Sequence, residues 1–173
     1  MGNTLTQRKH APFRYDIVGS FLRPEALKSA REAFAKNEIS AAQLTEVEDA
    51  CIRNLVEKQL EAGLKSVTDG EFRRSYWHLD FMWGFDGIEH NVMDQGYIFH
   101  GEETRPDSAR VCGKIKFTHH PFIDHFKFLK EVVGDRALVK QTIPAPSQIF
   151  AELVRADNEE HLNRIYPNRE ELY

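Results

Sequence analysis

The sequence predicts a parallel α/β protein, on three observations. Two apolar runs stop at a glycine and then present polar or charged groups: Ile17-Val18-Gly19-Ser20-Phe21-Leu22-Arg23-Pro24 and Ser66-Val67-Thr68-Asp69-Gly70-Glu71-Phe72-Arg73-Arg74. In a parallel α/β protein that is the character of a strand's C-terminal end, where ligands sit. Strand-like and helix-like segments alternate along the chain without repeats or low-complexity linkers. A strong helix pattern separates the two glycine runs, so they are expected to end neighbouring strands and face one pocket.

Each element follows from local signals. Phe13 to Gly19 reads as the first strand. Pro24 is placed to open a helix, because its fixed φ suits a first turn that does not need its missing N–H. That helix runs over Leu27, Ala30, Arg31 and Phe34 and ends near Asn37. Ser40 with Gln43 fits a capping box, Leu44, Val47, Cys51 and Leu55 make an apolar stripe, and Gly63 suits the left-handed residue that ends a helix. Leu64 to Thr68 is the second strand. Phe72 to Asp107 departs from the alternation: Tyr76, Trp77, Phe81, Trp83 and Phe85 are too dense for a flexible linker. They predict a packed excursion above the strand ends, least ordered around Met93 to Pro106. Arg110 to Phe117 alternates as a third strand. Pro121 opens a helix with Phe122, Phe126, Leu129 and Val133 on one face and Gly134 to stop it. Ala137 to Thr142 is the fourth strand, followed by Pro144-Ala145-Pro146 and a helix over Ile149, Phe150, Leu153 and Val154. Asn168 looks like the cap of a further helix begun by Arg169-Glu170-Glu171-Leu172-Tyr173.

A chain of 173 residues can form one domain, 1–173, with a real core. A net charge of −4 with both signs interspersed leaves no basic footprint, which argues against a nucleic-acid partner. No apolar stretch approaches the roughly 18 residues of a membrane span. The N-terminus lacks the apolar core of a signal peptide, so no membrane partner is expected and a cytoplasmic location follows by default. Two cysteines, Cys51 and Cys112, make no staple framework and are expected as reduced thiols.

Four strands separated by helices imply right-handed parallel crossovers and a sheet covered by helices. A closed (β/α)8 barrel of the TIM type needs eight such units and typically ~250 residues, so this chain covers about the first four. The edge strands would be unpaired and apolar, which calls for a partner copy, a further segment or a sheet that stays open.

At the glycine runs the sequence becomes recognisable. Val-Gly-Ser-Phe-Leu-Arg-Pro at positions 18–24, Val-Thr-Asp-Gly-Glu-Phe-Arg-Arg at 67–74 followed by Trp77-His78-Leu79-Asp80-Phe81, and Lys140-Gln141-Thr142-Ile143-Pro144 resemble the cobalamin-independent methionine synthase family. The resemblance is to its short, single-barrel members, which look like the C-terminal catalytic domain of the two-barrel enzymes. It runs from about Pro12 to the C-terminus and covers the N-terminal half of the family's barrel. It implies methyl transfer from a methylated folate, the co-substrate, to the thiol of homocysteine at a zinc ion that binds the thiolate. A coordinating cation lowers the thiol pKa, so the nucleophile exists at neutral pH.

In the family the amino-acid part of homocysteine is held by backbone and hydroxyl after the first strand and by a glutamate after the second. Those positions match Val18, Gly19, Ser20 and Glu71. Gly19 lets the backbone approach a ligand, the amide and hydroxyl at Ser20 can meet a carboxylate, and Glu71 can pair with an ammonium group. The bland alternatives are a simple turn at Gly19-Ser20 and an ion-pair cluster of Glu71 with Arg73 and Arg74. Trp77 reads as packing and His78 as a hydrogen-bonded structural histidine. His119, His120 and His125 lie at a helix entrance without accompanying cysteines and read as a solvated cap, with metal as the lesser alternative.

The departures are as informative. The family's zinc ligands, a His-x-Cys pair with a glutamate and a further cysteine, belong to the second half of the barrel. No metal ligand is therefore assigned here, and neither Cys51 nor Cys112 carries over. The folate-stacking tryptophan expected after the fourth strand is also unmatched, since Pro146 to Leu153 contains Phe150 but no Trp. Three readings follow: a half of a zinc-dependent homocysteine methyltransferase, inactive until its other half is supplied; a zinc-dependent alkyltransferase acting on another thiol; or a non-catalytic half-barrel that self-associates. A sulfonate-bearing thiol would want a cation in place of Glu71, which leans toward an amino-acid acceptor. The expected partners are small-molecule substrates and either a second copy, as a homodimer, or a missing C-terminal half.

Overall fold

The computed structural model describes residues 10–96 and 98–172; the first nine residues and Tyr173, on which the signal-peptide reading and the last helical residue fall, lie outside them. In chain order the elements are α1 (Glu25–Ala35), α2 (Ala41–Glu61), β1 (Ser66–Val67), α3 (Leu79–Met82), β2 (Asp86–Val92), β3 (Ile98–Phe99), β4 (Glu102–Glu103), β5 (Asp107–Lys116), α4 (Pro121–Val133), β6 (Leu138–Val139), α5 (Pro146–Leu153) and α6 (Ala156–Ile165), with a closing 3-10 turn at Arg169–Leu172. They divide into two compact units, Met1–Arg73 with His125–Thr142 and Arg74–Asp124 with Ile143–Tyr173.

The first unit is built on α2. Its N-terminus carries the expected capping box: Ser40 Oγ accepts from the Gln43 N–H at 3.3 Å, and the Gln43 side chain accepts from the Ser40 N–H at 2.8 Å. The face it buries is turned by about one residue from the predicted stripe, with Glu48, Ile52, Leu55, Val56 and Gln59 inside and Cys51 partly covered. The offset arises because Glu48 and Gln59 are polar and become buriable only through partners, which hydropathy does not reveal. Leu27 of α1, Ile52, Leu55 and Val56 of α2, Val67 of β1, Phe72, and Leu129 and Val133 of α4 form one core.

β1 pairs in parallel with β6, Ser66 opposite Leu138 and Val67 opposite Val139. The segment predicted as the first strand, Phe13 to Gly19, joins no ladder among the described residues. A physical reason lies on Thr68, the residue that would extend β1. Its N–H donates to Gln59 Oε1 at 3.0 Å and its carbonyl accepts from Gln59 Nε2 at 2.8 Å. A side-chain amide from α2 thus occupies both groups that another strand would use.

The second unit corrects the third-strand reading. The predicted strand Arg110 to Phe117 is β5, and it runs antiparallel to β2, with Ile88 opposite Val111 and Val92 opposite Asp107. Its partner comes from the aromatic excursion, which supplies α3 and β2 as well as a short β3–β4 hairpin. A register irregularity falls between Asp86 and Ile88, where Gly87 has φ +82° and a Cβ would stand 2.5 Å from the Lys114 carbonyl. Ile88, Ala109 and Val111 pack with Leu79 and Met82 of α3, Leu153 of α5, Leu162 of α6 and Tyr166. Helix α6 was not signalled by apolar spacing; its Asn158 is buried and donates to the Ala109 carbonyl at 2.7 Å. Asn168 does cap the last turn, accepting from the Glu170 N–H at 3.1 Å. Cys51 and Cys112 are free thiols. Among the described residues no helix is long and apolar enough to cross a membrane.

Candidate functional site

The candidate site lies in the first unit, at the C-terminal ends of the parallel strands β1 and β6. Beyond β1 the chain turns tightly: the Gly70 N–H donates to Thr68 Oγ1 at 3.1 Å and the Glu71 N–H to Asp69 Oδ1 at 2.9 Å. Gly70 and Glu71 both have left-handed backbone, φ +68° and +57°. A side chain at Gly70 would strain its left-handed backbone and bring a Cβ to 2.4 Å from Leu55 Cδ2, which would have to move. Glu71 is not a glycine, so its conformation costs on the order of 1 kcal/mol, a strain that clusters at ligand sites. Its side chain is buried, 5% exposed, and a carboxylate oxygen accepts from Thr142 Oγ1, beyond β6, at 2.7 Å.

The other glycine run comes to the same place without forming a strand. The Phe21 N–H donates to the Gly70 carbonyl at 3.2 Å, and Arg23 Nη2 donates to the Glu71 carbonyl at 3.0 Å. Further back, the Lys140 ammonium pairs with Asp16 at 2.6 Å and also donates to the Ile17 carbonyl. Between those fastenings Val18 is 87% exposed and Ser20 is exposed. Gly19 has φ +87°, with open space where a Cβ would be. Val18-Gly19-Ser20 is therefore an open backbone loop held beside the Glu71 turn.

Arg73, one of the two cations proposed as structural partners of Glu71, is committed elsewhere. It donates to Glu48 at 3.1 Å and Asp49 at 2.5 Å, and its guanidinium lies over the Phe128 ring at 5.0 Å. Arg31 of α1 reaches Glu48 at 3.4 Å and the Phe72 carbonyl at 2.7 Å. Burial pushes the Glu48 carboxyl above its ordinary range, and the attraction of Arg73 and Arg31 opposes that. These pairs tie the turn after Glu71 to α1 and α2.

Known proteins resemble this chain in sequence and fold. The uncharacterized protein YxjH of Bacillus subtilis is 46% identical over 149 residues, 86% of this chain and 39% of YxjH. The 5-methyltetrahydropteroyltriglutamate–homocysteine methyltransferase of Nitrosomonas europaea is 31% identical over 105 residues, 54% of this chain and 14% of that enzyme. A crystal structure from Listeria monocytogenes, of a protein assigned as a vitamin-B12-independent methionine synthase, superposes with a TM-score of 0.69 at 47% identity over 84% of this chain and 40% of that one. This chain is related in sequence and fold to the cobalamin-independent methionine synthases. It spans about two-fifths of the length of YxjH and of the Listeria protein. No protein-family model matches it.

For a methionine synthase relative, the sequence-predicted residues fall into two groups. Val18, Gly19, Ser20 and Glu71 all lie in the first unit, on segments joined by the Phe21–Gly70 bond. Thr142, Asp69 and Lys140, to which the sequence reading gives no role, are part of the same arrangement; the signal available was the Lys140-Gln141-Thr142 run at the end of a predicted strand. Trp77, His78, His119 and His120 belong to the second unit, and His125 to the first. Trp77 is half-exposed, its ring 4.6 Å from that of His78. Burial pushes the His78 pKa down, against the nearby carboxylates of Glu152 and Asp80. Tyr76 donates to Asp107 at 2.5 Å, His90 pairs with the same carboxylate at 2.6 Å, and Arg105 lies over the Tyr76 ring.

The histidine cap is corrected in part. His119 is exposed and pairs with Asp124 at 2.7 Å, as a cap residue would. His120 is buried among Phe81, Phe85, Phe117 and Phe122, with Nε2 on the Phe81 carbonyl at 2.8 Å and Nδ1 accepting from the Phe122 N–H at 3.1 Å. The aromatic residues around it make it a core histidine rather than a solvated one. His125 is half-buried on α4.

The zinc ion that the family resemblance implies finds no matching ligand set among the described residues. No group of three His, Cys, Asp or Glu side chains is placed to hold a metal there. Burial, and then the Glu48 charge, push the Cys51 thiol up, away from the thiolate a metal needs. Cys112 is exposed on β5.

Proposed function

We propose that this chain carries the acceptor-binding part of a methionine-synthase-type S-methyltransferase, with homocysteine as acceptor and a methylated folate as donor. The observation that supports this most is Glu71: a buried carboxylate in a strained left-handed turn, oriented by Thr142 and lying next to an open glycine loop. Glu71 would take the ammonium group of the amino acid. The backbone of Val18 and Gly19 and the Ser20 amide and hydroxyl would take its carboxylate, with the Val18 side chain forming the near wall. In the reaction the acceptor sulfur gives up its S–H proton and gains the methyl group, while the donor's N–CH3 bond breaks with its electron pair left on the nitrogen, which takes up a proton. This chain's residues bind and orient the acceptor, and the zinc ligands expected for thiol activation have no counterpart among the described residues. On this reading the chain supplies the β1 and β6 units of a (β/α)8 barrel, with the antiparallel β2–β5 pair inserted between them in sequence, works in the cytoplasm, and turns over substrate only with further barrel units or a partner copy.

Calorimetric titration of L-homocysteine tests the proposal. Binding by the wild type, weakened by roughly 1.5–3 kcal/mol in Glu71→Gln, is the expected result. Equal affinities, with a melting temperature lowered by several degrees in the variant, would make Glu71 a structural residue and overturn the assignment.

A further inference from the structure

We propose that Lys140 is a positioning residue for the acceptor's carboxylate, acting through the Ile17 carbonyl on the Val18-Gly19-Ser20 loop; the inference rests on the reading of the site given above. The loop needs such a device, because the segment leading into it joins no strand ladder among the described residues. It is fastened by the Phe21 N–H on the Gly70 carbonyl and Arg23 on the Glu71 carbonyl after the loop, and by the Lys140 ammonium on Asp16 and the Ile17 carbonyl before it.

Lys140 is well anchored for this task. It follows β6 directly, and its N–H donates to the Val67 carbonyl at 2.9 Å, so the base of its side chain is fixed by the parallel ladder. The ammonium therefore transmits the position of a strand to a segment that has none. The Ile17 carbonyl and the Val18 N–H belong to one planar trans peptide, so holding the oxygen fixes the direction of the N–H. A cation on that oxygen also polarises the peptide and strengthens its N–H as a donor. Asp16 shares the ammonium and keeps it on the segment. The result is a Val18 N–H whose direction is held and whose donor strength is raised, in the loop where Ser20 is exposed.

The test separates a carboxylate effect from a general one. Affinities of L-homocysteine and of 3-aminopropanethiol, which lacks the carboxylate, are measured by calorimetry on the full chain for wild type, Lys140→Met, Lys140→Arg and Asp16→Asn. The expected result is about a tenfold loss for L-homocysteine in Lys140→Met, little change for 3-aminopropanethiol, and partial recovery in Lys140→Arg. Asp16→Asn, which leaves the Ile17 contact, should lose less and serves as the second variant if Lys140→Met does not fold. An unchanged L-homocysteine affinity, or an equal loss for both thiols, overturns the role of Lys140 and leaves the site reading in place. A wild type that binds neither thiol overturns the site reading, and the role of Lys140 with it.

Discussion

Thr142 and Glu71 meet across 2.7 Å, hydroxyl to carboxylate, at the ends of two strands that lie side by side in parallel. The bond satisfies part of a buried anion and fixes its rotamer, so its removal should be felt in the fold as well as in the ligand. Thr142→Val keeps the shape and deletes the donor. We expect a stability loss of about 1–2 kcal/mol by urea denaturation, together with a few-fold weaker binding of L-homocysteine.

The left-handed backbone at Glu71 makes a distinct prediction. Glu71→Gly relieves the strain that a Cβ imposes at φ +57°, worth up to about 1 kcal/mol, but also deletes the Thr142 bond, so it should lose less stability than Glu71→Ala, which deletes the same bond and keeps the strain. It should at the same time abolish the calorimetric signal for the acceptor. A glycine variant more stable than the alanine variant, with binding lost in both, is the signature of strain kept for function; equal stabilities would point to a turn without strain.

Gln59 should be unusually intolerant for a helix glutamine. Gln59→Leu leaves the Thr68 N–H and carbonyl without their partner in a buried place, at a cost of about 2–3 kcal/mol. Hydrogen exchange at the Thr68 amide should quicken more than at Val67 if the bracket is what protects it.

The Tyr76–Asp107–His90 cluster gives the second unit a defined pH response. The Tyr76 hydroxyl, then His90 and Arg105, hold the Asp107 carboxyl below its ordinary range, against the effect of burial. A folded-state pKa below the unfolded one means that the contribution is present above the ordinary aspartate range and is lost as pH falls through the depressed value. Burial, then the Asp107 bond, push the Tyr76 phenol up, so its contribution is lost as pH rises through the raised value. Asp107→Asn should therefore lower the melting temperature near neutrality and flatten its dependence on acid. An unchanged acid limb would show that the cluster is not coupled to folding.

Exposed apolar side chains in the first unit bear on assembly. Val18, Leu22 and Leu138 are 87%, 97% and 51% exposed, the last on a strand with one neighbour among the described residues. Surfaces of this kind favour association. Light scattering at micromolar concentration is expected to give a dimer, and Leu138→Lys to shift it toward monomer; a wild type that is monomeric and soluble would remove the homodimer from the proposal.

The glycine turn at 70 and the loop at 19 were legible because each follows an apolar run and each needs a backbone that only its local sequence can supply. The capping box at Ser40 and Gln43 was legible for the same reason. The Thr142 and Lys140 contacts were not, since they depend on which strands become neighbours, and that is decided by segments far apart in the chain. Alternation marked Arg110 to Phe117 as a strand, yet period-two patterning carries no record of the partner's direction, and the partner proved antiparallel. Helix α6 was hidden because one of its inward positions is Asn158, whose burial depends on bonds to the Ala109 and Glu152 carbonyls rather than on hydropathy.

The pairing of β1 with β6 also sets an order of events during folding. Ser66 and Leu138 are neighbours across the ladder, but the whole β2–β5 hairpin lies between them in sequence. Closing so long a loop is entropically slow unless the intervening chain has already contracted. The hairpin, formed from nearer segments, is expected to do that contracting. A substitution such as Gly87→Ala, which forces a Cβ against the Lys114 carbonyl, should therefore delay the arrival of Thr142 beside Glu71 without touching either residue.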